Sequence, residues 1–427
     1  MLNPSIFLDF ADAAYWDPRL TFSRASIGSY CDKLGVLRYR PNNTPRFWTK
    51  GADASPGGLL LEVADTNLAL WSEDFTNAVW VATGATITPN ASAAPDLNLT
   101  ADTIAATATN ANVAQTVPVT ANFTIAFGLF CKASASNFVS LSLSDGVNVI
   151  SAWFDLVNGK TGGTNLGAGT LTYQWASIQQ WGNGWYRCVI EAASNTITSV
   201  TASVSPCAAD RAQPAVGNSA LIWGAMVVSA SGYPTVRMVS YYPTTSAAAT
   251  KAVDFCSLAY SRIDPSQFNP NAGTIFVDFM ITPACWRNFA TPGFGFGSDT
   301  SNNLQIGCAF GNNAGIGAKT MVVQSMLYIG SLTIVAYVPQ YPVFDFEVPI
   351  KIATRYAAGQ QLGQCVNGSA LALSAAVQQS PVTMPTVFTL GPFGNYATPN
   401  ATSSYLVRRW MYFPRFLSPD EMQQLTA

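Results

Sequence analysis

Apolar and polar positions alternate with a period of two along much of the chain, the spacing of a strand that buries one face. Phe123, Ile125, Phe127, Leu129 and Cys131 alternate with Thr, Ala, Gly and Phe, and Val139, Leu141 and Leu143 alternate strictly with serine. The same period returns in Val200 to Val204 and in Ile275, Val277, Phe279 and Ile281. Turn residues punctuate these runs at Asp145-Gly146, Asn158-Gly159, Gly162-Gly163 and Gly182-Asn183-Gly184, where glycine and asparagine supply left-handed backbone. Many short half-buried strands at regular spacing predict an all-β protein built from antiparallel, jelly-roll-like sandwiches.

The last residues break the pattern with a helix start. Ser418 is an N-cap, Pro419 stands at the first helical position and Glu421 completes a capping box, while Leu417 and Met422 are placed to close a hydrophobic staple. At 427 residues the chain exceeds one ordinary core, so two or three units are expected. Composition shifts near residues 70 to 82 and again in the Thr/Ser/Ala stretch Thr244 to Thr250. The division expected is therefore 1–70, 71–245 and 246–427: an irregular N-terminal docking segment, then two sandwiches, ending in the short C-terminal helix. Pro4, Pro18, Pro41, Pro45 and Pro56 with Gly57-Gly58 cut the first segment into pieces too short for a core of their own. It must lean on a neighbouring domain, another subunit or a larger particle.

Composition narrows the partners. Residues are 49% hydrophobic and only 10% charged, with a formal net charge of -2, which leaves no field for gripping phosphates or anionic lipid. Nucleic acid is excluded as an expected partner, and so is membrane insertion, since no apolar run reaches the ~18 residues of a span. Met1-Leu2-Asn3-Pro4 opens without a basic region followed by an apolar one, so synthesis and folding in a reducing cytosol are expected. The eight cysteines form no CxxC pair and read as buried free thiols.

The chain contains no histidine, which removes every Ser-His-Asp or Cys-His arrangement and every histidine-bearing metal site. A carboxylate pair of the glycosidase kind could be sought at Asp345-Phe346-Glu347, both acids on one strand face. With five glutamates in all, at 62, 73, 191, 347 and 421, a solvated strand edge is the stronger reading of that pair. A loop calcium around Asp299-Thr300-Ser301-Asn302-Asn303 is conceivable, but turn chemistry alone accounts for those residues. Gly293 to Gly297 and Gly311 to Gly315 do not follow the order that phosphate binding requires. No catalytic residue, cofactor or metal is expected, and the chain reads as a non-enzyme.

Aromatic side chains are the better candidates for function, because they stack on sugar rings and anchor protein interfaces. The densest cluster is Tyr173, Trp175, Trp181, Trp185 and Tyr186. Trp185 reads as an inward core residue after the Gly182–Gly184 turn; Trp181, Tyr173 and Trp175 remain as glycan or interface candidates. Arginines concentrate in the first segment, at 19, 24, 38, 40 and 46. Arg19, Arg24 and Arg46 are candidates for docking to a partner, with internal pairing to Asp9, Asp12, Asp17 and Asp32 as the equal alternative.

The series Asp17-Pro-Arg-Leu-Thr-Phe-Ser-Arg-Ala-Ser26, Tyr30, Asp32, Asn43-Thr-Pro-Arg-Phe47, Gly58-Leu-Leu-Leu-Glu62 and Thr66-Asn-Leu-Ala-Leu-Trp-Ser-Glu-Asp-Phe75 with Trp80 resembles the opening of tailed-bacteriophage virion and tail-fibre-like proteins. Gly182-Asn-Gly-Trp-Tyr-Arg187, Tyr241 to Thr245 and Thr250 to Asp254 continue the likeness, with Lys251 where that family often has arginine. The middle region resembles the sandwich of carbohydrate-binding modules. The last, with Val366-Asn367-Gly368 and Arg409 to Glu421, resembles a concanavalin A-like or laminin G-like sandwich. The resemblance implies a virion-surface protein made in the host bacterial cytoplasm: a tail fibre, spike or head fibre adhering to host-surface glycan, docked to other virion proteins through its N-terminal segment and assembled with itself, as a trimer. A capsid decoration protein without a receptor is the alternative, and a glycan-degrading hydrolase a third.

Overall fold

The computed structural model of the protein describes residues 2–11, 16–50, 55–230, 240–281, 291–299, 302–311, 320–341, 348–390 and 404–427. Asp345 and Glu347, Cys285, and the centre of the loop considered for calcium at Thr300-Ser301 lie outside these residues. Nearly all the regular structure is antiparallel β, and among the described residues the single α-helix is Pro419–Thr426. None of their helices is long and apolar enough to cross a membrane.

Four sheets form two sandwiches, and one sandwich is inserted into the other. The carrier sandwich faces an eight-stranded sheet, ordered Ala372–Val377, Gln361–Val366, Pro349–Ala357, Ala272–Ile281, Tyr405–Phe413, Ser55–Leu61 and Arg46–Lys50 with Ile6–Asp9 also on Tyr405–Phe413, against a seven-stranded one that runs from Leu20–Ser23 through Phe255–Ala259 to Leu332–Tyr341. Between them lies a core that includes Leu8, Leu59, Leu258, Val277, Phe296, Phe388 and Trp410. The inserted sandwich faces a second seven-stranded sheet, which includes Leu99–Ala106, Thr124–Ala133, Leu171–Gln180, Tyr186–Ser194 and Ser219–Ala230. Its mate is a six-stranded sheet ordered Lys160–Asn165, Val149–Asp155, Phe138–Ser144, Ser199–Cys207, Asn112–Pro118 and Val81–Thr83.

The described residues of 1–70 therefore form short strands of the carrier and are not irregular. Ile6–Asp9 pairs with the last strand, Ile6 opposite Tyr412, Leu20–Ser23 pairs with Phe255–Ala259, and Arg46–Lys50 pairs with Ser55–Leu61, which pairs in turn with Tyr405–Phe413. Pro4, Pro18, Pro41 and Pro45 fall between these short strands, where their missing N–H groups interrupt no ladder. The segment completes the carrier core across almost the whole length of the chain.

The chain enters and leaves the insert through a two-stranded stem, Asp65–Asn67 against Ala249–Lys251. Asn67 anchors it: its Nδ2 donates to the carbonyls of Ala225 at 3.1 Å and Tyr242 at 3.2 Å, and its Oδ1 accepts from the amides of Ala69 and Val227, each at 3.1 Å. All four hydrogen bonds open to a buried asparagine are made.

The sequence-derived strands and turns fall into this frame. Val139, Leu141 and Leu143 point into the insert core while serines alternate outward. The turns at Asp145-Gly146, Asn158-Gly159 and Gly182–Gly184 each join neighbouring strands. Gly162-Gly163 differs, lying within the strand Lys160–Asn165. The terminal helix has its capping box, Ser418 Oγ accepting from the Glu421 amide at 3.2 Å and Glu421 Oε2 from the Ser418 amide at 2.8 Å, and Leu417 and Met422 are buried together beneath it.

Candidate functional site

The insert has two outward sheet faces with opposite fates. Its seven-stranded sheet is covered on both sides: in Thr124–Ala133, Ile125, Phe127, Leu129 and Cys131 enter the insert core, while Ala126 and Phe130 enter a separate core at the junction. Phe130, Trp181, Trp185, Trp223 and Met226 of the insert meet Leu37, Trp48 and Leu60 of the N-terminal segment, with Met280 and Leu406 of the carrier and Tyr241 and Tyr242 of the return segment. The Trp181 ring stands edge-on to Trp48 at 5.6 Å and to Phe130 at 4.9 Å, the geometry ring quadrupoles favour.

Beside this core lies a buried ionic network. Asp254 receives Arg24 Nη1 at 3.1 Å and pairs through its other oxygen with Arg46, while Arg46 Nη1 reaches Glu62 at 2.7 Å. Glu62 also accepts from Ser240 Oγ at 2.7 Å, and Lys251 Nζ lies 3.9 Å away, donating to the Val63 carbonyl. Burial pushes the Glu62 carboxyl up, but Arg46 and Lys251 outweigh it and hold it down at about 2. Burial likewise lowers Lys251. Charges withdrawn from water persist only when paired and hydrogen-bonded in this way.

These placements revise the residues singled out from the sequence. Arg24 and Arg46 are 1% and 0% exposed and hold the molecule together from within, leaving no surface for a docking partner. Arg19 remains near the surface, paired with Asp17 at 2.7 Å. Their partners include Asp254, distant in sequence, rather than only the nearby acids. Trp181 is buried in the junction and cannot stack on a sugar, and Trp185 lies inward beside it, as expected of a core residue. Tyr173 packs against the insert core. A bulge sets it apart from Trp175, which lies across from Glu191. The three aromatic candidates therefore do not form one surface.

The opposite face, on the six-stranded sheet, is polar and partly exposed: Ser140 and Ser151 are buried at 7% exposure, while Ser142, Ser144, Thr201, Ser203 and Ser205 are half-buried. Its core side carries Val113, Val139, Leu141, Ile150, Phe154 and Val204, so strand alternation turns Ser140, Ser142, Ser144, Ser151, Trp153, Thr201, Ser203 and Ser205 outward. Register aligns them in rows: Ser142 lies opposite both Ser151 and Ser203, and Ser140 opposite both Trp153 and Ser205. Ser142 and Ser151 hydroxyls meet at 2.8 Å, as do those of Thr116 and Thr201. Trp153 is half-buried at one side, its Nε1 donating to the Ala212 carbonyl at 3.2 Å.

The loop carrying Ala212 is clamped to this face. Asp210 Oδ1 accepts from the Gly163 amide at 2.7 Å, and the Arg211 side chain lies across the same strand. A Cβ on Gly162 would stand 2.3 Å from Asp210 Oδ1, and one on Gly163 would stand 2.1 Å from Arg211 Nε. The glycine pair thus lets these two side chains lie close against the strand. Sequence reasoning passed over Trp153, although the alternation Ile150, Ala152, Phe154 around it marked it as outward; Arg211 carried no such signal. Among the described residues no group of His, Cys, Asp or Glu is arranged to hold a metal ion.

No family model matches the sequence, and no curated protein matches it. Similar solved structures include the CBM40 of Ruminococcus gnavus IT-sialidase bound to alpha2,6 sialyllactose, at 18% identity and a TM-score of 0.29, covering 37% of this chain and 84% of that one. Trypanosoma rangeli sialidase is similar at 13% identity and a TM-score of 0.25, covering 67% of this chain and 50% of that one; its complex with sialic acid gives 12%, 0.26, 74% and 51%. These are distant likenesses among β-rich folds, one of them a carbohydrate-binding module, and they carry no argument about ligand or activity.

Proposed function

We propose that the protein is a binding and structural subunit of a tailed-phage virion, an appendage such as a tail fibre, spike or head fibre, and not an enzyme. In this reading the carrier sandwich, completed by the N-terminal strands, forms the structural body, and the insert presents its six-stranded sheet to host-surface glycan. The observation that carries the binding role is the contrast between the insert's two sheets: one is consumed by the junction, the other keeps Ser142, Ser144, Thr201, Ser203 and Ser205 partly exposed on the same face as a half-buried indole. Hydroxyls and an aromatic face are the groups that recognise sugar rings, and copy number on a particle would turn weak single contacts into avidity. The virion assignment rests on the sequence series described above, whose members Arg24, Arg46, Glu62 and Asp254 form the buried network at the foot of the stem and whose Asn67 anchors the stem to the insert.

The test is a glycan array probed with the full chain and with Trp153→Ala. Binding to bacterial surface glycans that falls at least tenfold in the variant, with an unchanged melting temperature, supports the reading; a silent array, or a variant that binds as well as the parent, sinks it. Immunogold labelling of particles separates tail from capsid.

A capsid decoration role is the second reading. It is favoured by apolar side chains left in water at one end of the insert, Val147 at 89% and Leu166 at 60% exposure, which would be covered between subunits. The same patch is where self-association as a trimer is proposed. Analytical ultracentrifugation of Val147→Asp with Leu166→Asp tests it: dissociation supports that contact, and an unchanged mass removes it.

A further inference from the structure

We infer that the glycan recognised on the insert's six-stranded face is an acidic one, a saccharide bearing a carboxylate, read by the exposed Arg211 with Trp153 and the partly exposed hydroxyls of that face. The inference rests on the glycan-binding reading and adds a substrate class to it.

Arg211 is exposed at the rim of that face and has a left-handed backbone, φ 58°, a conformation unfavourable for any residue with a Cβ. It is held there by construction. Asp210 spends Oδ1 on the Gly163 amide at 2.7 Å, and the Arg211 side chain lies against Gly163, where a Cβ would stand 2.1 Å from its Nε. The next residue, Ala212, accepts the Trp153 indole N–H at 3.2 Å, so cation and indole belong to one clamped unit. Among the described residues the Arg211 guanidinium forms no ion pair, whereas Lys160 on the neighbouring strand is spaced opposite Asp155. A planar cation on the clamped loop, with an indole and partly exposed hydroxyls on the same sheet face, matches a pyranose ring carrying a carboxylate, which guanidinium binds through paired hydrogen bonds.

The experiment is isothermal titration of the full chain with trigalacturonate, galactotriose and a polyglutamate peptide, for the parent, Arg211→Gln, Arg211→Lys and Trp153→Ala. The parent is expected to prefer trigalacturonate over galactotriose by about tenfold, the worth of one charge-assisted pair. Arg211→Gln should bring that ratio close to one, Arg211→Lys should restore part of it, and Trp153→Ala should weaken both sugars. A preference that survives Arg211→Gln, or equal affinity for both sugars in the parent, overturns the inference and leaves the glycan reading standing. Binding of polyglutamate as tight as trigalacturonate overturns it by making charge alone the determinant. If neither these sugars nor the wider array bind, the inference and the glycan reading fall together.

Discussion

The two outward faces of the inserted sandwich are made by the same rule and filled with opposite residues. On the seven-stranded sheet, alternate positions carry Phe130, Val189, Trp223 and Met226, and the face is buried against carrier and N-terminal strands. On the six-stranded sheet the equivalent positions carry Ser140, Ser142, Ser151 and Thr201, of which Ser142 and Thr201 are partly exposed and Ser140 and Ser151 are buried. Large aromatics repay desolvation only when something covers them, whereas short hydroxyls satisfy one another across strands and cost little in water. The difference teaches that one face is for assembly within the chain and the other is available to a partner outside it.

The comparison breaks first at the ionic network. Asp254→Ala leaves Arg24 and Arg46 buried without their shared carboxylate, and about 3–5 kcal/mol of stability should be lost, measured by denaturant unfolding. A loss under 1 kcal/mol would mean the network does not fasten the docked side. Trp181→Ala removes the ring set between Trp48 and Phe130 and should cost about 3 kcal/mol, with faster release of the insert in limited proteolysis. An equal loss from truncating Trp153 would erase the distinction between the faces.

A pH titration sharpens it further. Glu73 sits where the insert meets Tyr241 of the return segment, accepting that phenol's proton at 3.1 Å. Burial pushes its carboxyl up to about 7, the Tyr241 hydrogen bond pulls it down, and Asp96 pushes it up again. A raised carboxyl binds its proton more tightly in the folded state, so this contribution is complete below about 4.5 and is lost as pH rises towards 7. The loss should be on the order of 2 kcal/mol, and Glu73→Gln should flatten it, leaving the variant the more stable form above pH 7. Glu62 works in the opposite direction: held at about 2, it stabilises above about 4.5 and loses that contribution as pH falls towards 2. The smallest effect is expected on the six-stranded face, where Ser142→Ala should change stability by less than about 0.5 kcal/mol while altering sugar affinity.

Much of this architecture was legible in the chain. Period-two alternation marked the strands at 139–143, 200–204 and 275–281, and Ser418, Pro419 and Glu421 marked the helix, because both signals are local. The discontinuous carrier was not legible, since the pairing of Ile6 with Tyr412 leaves no trace in either neighbourhood and prolines made residues 1–70 look irregular. The same cause hid the roles of Arg24 and Arg46: a charge count shows arginines, but their partner Asp254 lies some two hundred positions away. For the site, density of aromatics pointed to Trp181, Tyr173 and Trp175, of which the junction buries Trp181. Alternation was the better guide, for it alone sets Trp153 among outward serines.

The most direct measurement of the central claim is hydroxyl-radical footprinting of the full chain with and without the glycan that binds tightest on the array. The account predicts new protection at Trp153 and the loop around Arg211, with Trp181 and Trp185 unreactive in both states. Protection confined to Trp175, Tyr173 or the carrier sandwich, with Trp153 unchanged, would contradict it.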